Sequence, residues 1–260
     1  MVIFNKKEHT YTKGQSKYLS VTTFIKKYCA KFEEGYWLKY KTVEACMNGL
    51  KKENGVYAKK KGFFGLSKLK GLDNLKNSID KDLYAKVRKE IKQAWKTKSD
   101  TSAEKGTAYH DNREKEDLKA GEITFEGVLM PVFGRSGEWD NSFREIDKDG
   151  CYLEYLVFSD ETLLAGQIDK LIVKGNTFKI IDYKTNENLH KPAFDNKKML
   201  PPFDFLDDSK IGHYTLQLNI YAALIEQRGF VCEGLEIHYF DEVINVPKYD
   251  IWPLIKKELV

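Results

Sequence analysis

The sequence predicts an α/β fold of the α+β or mixed kind, with a mixed central β-sheet flanked by helices and a helical N-terminal region. Three observations lead to it. Apolar residues recur at helical spacing over most of the first 120 positions, the period changes to that of strands from residue 151, and a long apolar helix pattern at 211–229 separates those strands from a last one at 234–240. At 260 residues and 42% apolar side chains, the chain is long enough for one large domain or one and a half, and it does not have the composition of a disordered protein.

After a short extended start, residues 18–50 read as helical: Ser20-Val21-Thr22 leads into TTFIKKYCAKF, and YWLKYKTVEACMNGL continues at helical spacing to Gly49. Residues 51–72 are basic and glycine-rich, which predicts a loop or a broken helix. NSIDKDLYAKVRKEIKQAWKTK is amphipathic, with Leu83, Val87, Ile91 and Trp95 four apart on one face. A separate helix is expected over 102–119, because Thr101 with Glu104 makes a capping-box pattern and Gly121 suits a C-terminal stop. On that helix Ala103, Gly106, Thr107 and His110 share a face.

From 151, CYLEYLVF, TLLAGQIDKLIV and TFKIIDYKT read as strands. NENLHKPAFDNKKMLPPFDFLDDSK carries no pattern, and unpatterned connections of such length are usually functional or mobile. IGHYTLQLNIYAALIEQRG is a helix with Leu216, Ile220 and Leu224 as its apolar rail, GLEIHYF is the last strand, and YDIWPLIKKELV closes the chain as a short helix. The elements divide into a basic helical region over 1–100 and a core over 101–260.

No apolar run approaches the roughly 18 residues of a membrane span. The start, MVIFNKKEHTYTKGQ, has neither a signal-peptide apolar region nor a transit pattern, so a cytoplasmic location is expected. The lysine- and asparagine-rich composition suits a bacterial or phage source. Cys29, Cys46, Cys151 and Cys232 are scattered with no C-x-x-C pair, which predicts free structural thiols rather than a zinc site or a disulfide framework. Net charge is only +4, yet residues 51–98 hold 15 Lys or Arg against 5 Asp or Glu. That surplus fits either a solvated helical surface or one that tracks phosphates.

The most informative stretch is AGQIDKLIVKGNTFKIIDYKTN, residues 165–186. With Gly175-Asn176 as a two-residue hairpin turn, Val173 faces Phe178, Leu171 faces Ile180, Asp169 falls opposite Asp182, and Gln167 falls opposite Lys184. Alternation puts these four polar side chains on one face, with directly opposite Cβ atoms roughly 4.5–5.5 Å apart. Two ionised carboxylates at about 5 Å repel by roughly 3 kcal/mol at an effective dielectric of 20, equivalent to about two pKa units on one of them. Two valines would serve the sheet better. A hard divalent cation turns the repulsion into attraction, and carboxylate, water and phosphate oxygens are what Mg²⁺ or Mn²⁺ prefers. Lys184 stands at the edge of such a site, placed to hold a water or to neutralise phosphate charge. A surface Lys–Asp ion pair is the alternative, but both faces of the hairpin are mostly apolar.

GQID, followed thirteen residues on by DYK, resembles the PD-(D/E)xK nuclease superfamily, and within it the RecB-like branch of small single-domain exonucleases. GTAYH, ending at His110, is similar to the upstream histidine motif of that branch. QLNIY is similar to its downstream Q-x-x-x-Y motif, with Gln217 and Tyr221. The four motifs stand in the family's order over residues 104–225, and SVTTFIKKY is weakly similar to the family's N-terminal segment. The resemblance implies a restriction-endonuclease-like core, with Asp169 and Asp182 as metal-ligating acids and Lys184 as the catalytic lysine. It also implies that the Tyr183 carbonyl approaches a metal and that His110 stands near metal and scissile phosphate. Glu154 sits where some members carry an additional acid, with an exposed strand residue as the alternative. Gln217 is expected to bond the Lys184 region, a phosphate or a structural partner, and Tyr221 to pack or to contact nucleic acid. The sequence departs from the pattern in having Ile168 rather than proline before Asp169. It also lacks the cysteine trio of iron–sulfur relatives, so no iron–sulfur cluster is expected. No G-x-x-x-x-G-K-[ST] loop supplies a helicase motor, which leaves a helicase or recombination partner in trans.

The resulting expectation is a Mg²⁺- or Mn²⁺-dependent nuclease acting on DNA in repair, recombination or replication, with exonuclease action on single-stranded ends favoured over endonuclease action. The basic N-terminal half, with Tyr57, Phe63, Phe64, Tyr84, Trp95 and Lys96, would track the backbone and stack bases, unless these aromatics are core. The 186–211 stretch would serve as a lid or strand guide. The rival class is a catalytically idle nucleic-acid-binding module built on the same fold.

Overall fold

A computed structural model describes residues 2–50, 52–53, 56–134 and 142–260. It is mixed α/β, with a large mixed sheet flanked by helices. The chain forms two compact units, residues 1–30 with 106–260 and residues 31–105. The first thirty residues belong to the same unit as the sheet core.

In the sheet unit the extended start is an antiparallel meander of three strands, β1 (Ile3–Asn5), β2 (Thr10–Lys13) and β3 (Ser16–Ser20), and helix begins at Val21 rather than at residue 18. Phe4, Tyr11 and Tyr18 from it pack with Leu156 and Ala165 in a small core. Ser20 ends β3 and caps helix α1 (Val21–Lys26), accepting a hydrogen bond from the Thr23 amide.

The second unit holds α2 (Glu34–Met47), the short ladder β4 (Lys52–Glu53) with β5 (Val56–Tyr57), α3 (Phe63–Lys70), α4 (Leu72–Asn77) and the first part of α5 (Lys81–Ala120). The rail Leu83, Val87, Ile91 and Trp95 packs with Leu38 and Ala45 of α2, as the four-residue spacing predicts. Helix α5 is a single element of 40 residues. Asp80, whose Oδ1 accepts from the Leu83 amide at 2.9 Å, caps it, and the break expected at Thr101 does not occur. No proline stands between 81 and 120, and Thr101 and Ser102 are tolerated inside a helix at a cost of only tenths of a kcal/mol each. Gly121, with φ +72°, ends it as expected.

The rest of the sheet unit follows: β6 (Glu122–Phe125) and β7 (Val128–Phe133), β8 (Gly150–Ser159), β9 (Leu164–Lys174), β10 (Thr177–Lys184), α6 (Lys210–Glu226), β11 (Val231–Tyr239), β12 (Glu242–Asn245) and α7 (Trp252–Leu259). The β9–β10 register is the one read from Gly175-Asn176, with Phe178 opposite Val173 and Ile180 opposite Leu171. The ladder stops at Ile181 opposite Lys170. Strand β8 lines one edge of β9 from Leu164 to Val173. The other edge pairs with β10 at residues 170–174 and with β3, in parallel, at residues 164–165. Residues 166–169 thus have no ladder partner on that edge, and a cleft opens between β10 and β3.

Helix α6 crosses between the parallel strands β10 and β11. It is buried on nearly every side from Thr215 to Ile225, with Leu216, Ile220 and Leu224 in the main core beside Phe24, Ile168, Leu171, Phe178 and Ile180. The 186–209 connection is tied down rather than structureless. Leu189, Met199, Phe203 and Leu206 are buried in that same core. The Leu200 amide donates to the Tyr28 carbonyl at 2.7 Å, and the Met199 amide to the Leu206 carbonyl at 3.0 Å. Phe203 is fully buried and meets Tyr28 edge-on at 4.8 Å between ring centroids. Such anchoring argues against a lid that swings as a whole. Phe203→Ala is expected to lower stability by about 3–5 kcal/mol, the range for a buried aromatic, as measured by urea denaturation. A cost under about 1 kcal/mol would mean that the segment is not part of the core.

Candidate active site

The cleft between β3 and β10 widens into a cavity of about 540 Å³. His110, Glu154, Gln167, Asp169, Asp182, Lys184, Gln217 and Tyr221 all line it, together with Gly106, Thr107 and Gly166. Eight of the eleven residues singled out from the sequence therefore meet in one place, or nine counting Tyr183 through its backbone. Trp95 and Lys96 belong to the second unit. Ala103, expected on the His110 face, is exposed and also lies in the second unit.

Asp169 stands where β9 has lost its partner. Its Oδ2 accepts from the Tyr183 amide at 2.8 Å, in place of a ladder bond, and lies 3.3 Å from His110 Nδ1. Glu154 completes the cluster: one ligand atom each from His110, Glu154 and Asp169 lie within 4.8 Å of one another. Glu154 is thus not an exposed strand residue. It falls across from Asp169 in the β8–β9 alignment, at the one point where that ladder skips a pair. Its φ is +50°, the left-handed region, and it is the only non-glycine residue inside a strand to adopt it among the described residues. Such a backbone costs on the order of 1 kcal/mol for an L residue and is found where surrounding structure enforces it. Here the Gln167 Nε2 donates to the Glu154 carbonyl at 3.1 Å. Strand alternation also breaks there: Tyr152 and Tyr155, and Ile168 and Leu171, three apart in each case, share the main core.

Asp182 is separate from that trio. Its side chain is almost fully buried and forms an ion pair with Lys184. The Lys184 ammonium is the close partner of its buried Oδ2. Lys184 also lies over the Tyr214 ring, 4.7 Å from its centroid. The tyrosine side chain of residue 183 points away, edge-on to Tyr109 and His238 and under Arg113. Its amide reaches Asp169.

Burial raises the carboxyl pKa of Asp182 to about 6, with Asp169 adding to the effect and Lys184 opposing it. For Asp169 burial also pushes upward, but the His110 hydrogen bond and charge, Lys184 and the Tyr183 amide outweigh it, and the net shift is downward. The two acids are thus split as like-charged neighbours should be, but burial, not the mutual repulsion expected from the hairpin, is the larger cause. Burial lowers the His110 pKa while Asp169 raises it, with a net rise. Lys184 is likewise raised on balance, by Asp182 and Asp169 against burial.

Gln217 and Tyr221 serve each other: Gln217 Nε2 donates to the Tyr221 hydroxyl at 2.9 Å. The Tyr221 ring lies on the backbone of Gly166, where a Cβ would come within 2.4 Å of its Cε1. Gly166 is therefore a structural requirement of the GQID stretch that periodicity does not reveal. Tyr11 and Tyr214 were also missed, because a tyrosine in an amphipathic element reads as core.

No protein-family model matches the chain, and no curated protein matches it either. The donor set is carboxylate oxygen plus one imidazole, beside a buried carboxylate oxygen paired with Lys184. That set fits a divalent ion such as Mg²⁺ or Mn²⁺, with the imidazole favouring the latter. Glu154, Asp169 and His110 would hold it, with Asp182 adjoining.

The Asp182 shift has a checkable sign. Its folded-state pKa, about 6, lies above the unfolded value of about 3.9, so the stabilisation this group contributes is complete below pH 4 and lost as pH rises through about 6. In metal-free protein, Asp182→Asn is therefore expected to gain on the wild type by on the order of 2 kcal/mol between pH 4 and pH 7, measured by chemical denaturation at each pH. A stability difference that does not change over that range contradicts the assignment.

Proposed function

We propose that this chain is a divalent-metal-dependent nuclease with a restriction-endonuclease-like core, hydrolysing phosphodiester bonds in DNA and acting on single-stranded ends. What supports the reading most is the convergence of His110, Glu154 and Asp169 within 4.8 Å at the unpaired edge of β9, with the buried Asp182–Lys184 pair in the same cavity. No requirement of the sheet explains that collection of charge, whereas a phosphate substrate and its counter-cation do. The β9–β10 hairpin and the α6 crossover to a parallel β11 agree with the proposed core.

In this reading Asp169, kept ionised by His110 and the Tyr183 amide, holds the cation together with Glu154. When bound, a divalent ion polarises phosphate oxygens and lowers the pKa of water. Lys184, a cation held at the cavity wall by Asp182, faces the phosphate negative charge and positions the attacking water. His110, with its pKa raised, offers a proton donor or a further ligand beside Asp169. Attack forms a new P–O bond, and the bridging ester P–O bond breaks, with a proton required by the leaving alkoxide.

The second unit contributes binding. Lys39, Lys76 and Arg88 line one hollow with Tyr36 and Tyr84. Phe32 and Trp95, edge to face at 6.1 Å, line another with Lys89, Lys92 and Lys96. Phe32 and Phe64 are exposed, whereas Phe63 is buried in the unit's own core and Tyr57 donates to Glu90, so neither of the latter is a stacking platform.

Asp169→Ala and Lys184→Ala are each expected to lower Mg²⁺- or Mn²⁺-dependent DNA hydrolysis by about 10²-fold or more, with an unchanged circular dichroism spectrum. Folded variants that keep the wild-type rate would refute the assignment. End-labelled linear strands should be degraded while a closed circle survives; rapid nicking of the circle would instead make the activity endonucleolytic. Trp95→Ala should weaken single-strand binding by about 1–3 kcal/mol. Lys96→Ala should reduce the salt slope of binding by about 0.7. Fluorescence anisotropy across a salt series measures both, and unchanged values would remove the second unit from the binding surface.

A further inference from the structure

A second convergence of metal-binding side chains lies outside the proposed nuclease site. Cys29 follows α1, Asp208 ends the long connection before α6, and His213 stands on the first turn of α6. One ligand atom from each lies within 4.8 Å of the other two. Cys29 Sγ is 3.3 Å and Asp208 Oδ1 2.5 Å from the same atom, His213 Nε2. All three residues are half-buried.

Proton counting makes the arrangement unusual. A single ring nitrogen carries either one hydrogen or one lone pair. If Nε2 is protonated, its hydrogen serves Asp208 and leaves the sulfur as a weak second acceptor. If it is not, it repels the carboxylate. In a triad of the Cys–His–Asp kind the two partners use opposite ring nitrogens, and here they share one. Three electron-pair donors within 4.8 Å of one another suit a cation that accepts from all of them.

We infer that Cys29, Asp208 and His213 form a binding site for a borderline-soft divalent ion, Zn²⁺ foremost, that clamps the end of α1 to the start of α6. Thiolate with imidazole selects zinc over magnesium, and three protein ligands leave a fourth tetrahedral position for water. With zinc–ligand bonds of about 2.0–2.3 Å, neighbouring donors in a tetrahedral site stand roughly 3.3–3.6 Å apart. The Sγ–Nε2 spacing of 3.3 Å is within about 0.3 Å of the sulfur–nitrogen end of that range. The 2.5 Å Nε2–Oδ1 pair must open by somewhat under 1 Å, which a turn of the Asp208 carboxylate supplies. Its other oxygen accepts from the Ala30 amide at 2.8 Å, an outer contact of the kind that orients metal ligands. The competing arrangement is a His213–Asp208 ion pair with the Cys29 thiol donating to the Ile25 carbonyl, 3.4 Å away.

This site is independent of the nuclease reading, since no cysteine lines the larger cavity. Cobalt(II) titration of the full chain separates the two, because a thiolate-to-cobalt charge-transfer band reports only a site with cysteine. A saturable band at one equivalent, displaced by zinc and lost in Cys29→Ala and His213→Ala, is the expected result. In the wild type, zinc should slow alkylation of Cys29, followed by mass spectrometry, by about tenfold or more. At about a hundredfold excess over its dissociation constant it should raise Tm by about 5 °C or more. The alkylation readout needs no variant, so a folding defect in Cys29→Ala leaves the test intact. Cobalt binding without the band, a band that survives either substitution, or an alkylation rate indifferent to zinc overturns the assignment in favour of the ion pair.

Discussion

The structure turns on four residues of β9, Gly166 to Asp169, that have no ladder partner on the edge shared by β10 and β3. Along most of its length β9 is an interior strand, with β8 on one side and β10 or β3 on the other. Between Gly166 and Asp169 the second side is open, because β10 has diverged and β3 has not yet joined. Backbone groups there need other partners. On the open side Asp169 takes the Tyr183 amide, on the β8 side Gln167 bonds the Glu154 carbonyl, and the Tyr221 ring covers Gly166. Of the polar residues that interrupt the two apolar strands, Asp169 stands in for a missing ladder bond, while Asp182 and Lys184 pair with each other. The same gap gives the cavity its mouth.

Burial then divides the charges unequally. Asp169 has a hydrogen-bonded histidine and an amide, and stays ionised. Asp182 has only Lys184, and is driven toward neutrality. An ionised carboxylate so placed costs stability unless a proton or a cation meets it. Glu154 extends the same logic to the backbone: a left-handed residue in mid-strand is a cost that places its carboxylate beside Asp169 and His110.

The β9–β10 register was legible in the sequence because a two-residue turn fixes pairing locally, and the alternation of Leu171, Val173, Phe178 and Ile180 leaves no other choice of face. The rail on α5 and the apolar helix α6 were legible for the same reason, since their periods are long and regular. The N-terminal meander was not, because strands of three to five residues are too short to show a period. The Thr101–Glu104 pattern misled because a capping sequence permits a helix start without enforcing one. The 186–209 connection read as patternless because its anchors, Leu189, Met199, Phe203 and Leu206, are spaced for a core shaped by other elements.

By itself the sequence determined the β9–β10 turn and its register as far as Ile181 opposite Lys170, and that His110 and Gln217 lie on flanking helices. Only the tertiary structure decided that Glu154 completes the cluster with His110 and Asp169 while Asp182 stands apart with Lys184. It alone brought Cys29 to His213, 184 residues away in the chain. Periodicity and turn chemistry act over a few residues and set which way a side chain faces. Which distant atoms it then meets, and how far burial moves its pKa, depend on how strands diverge and helices cross, and no local pattern records that.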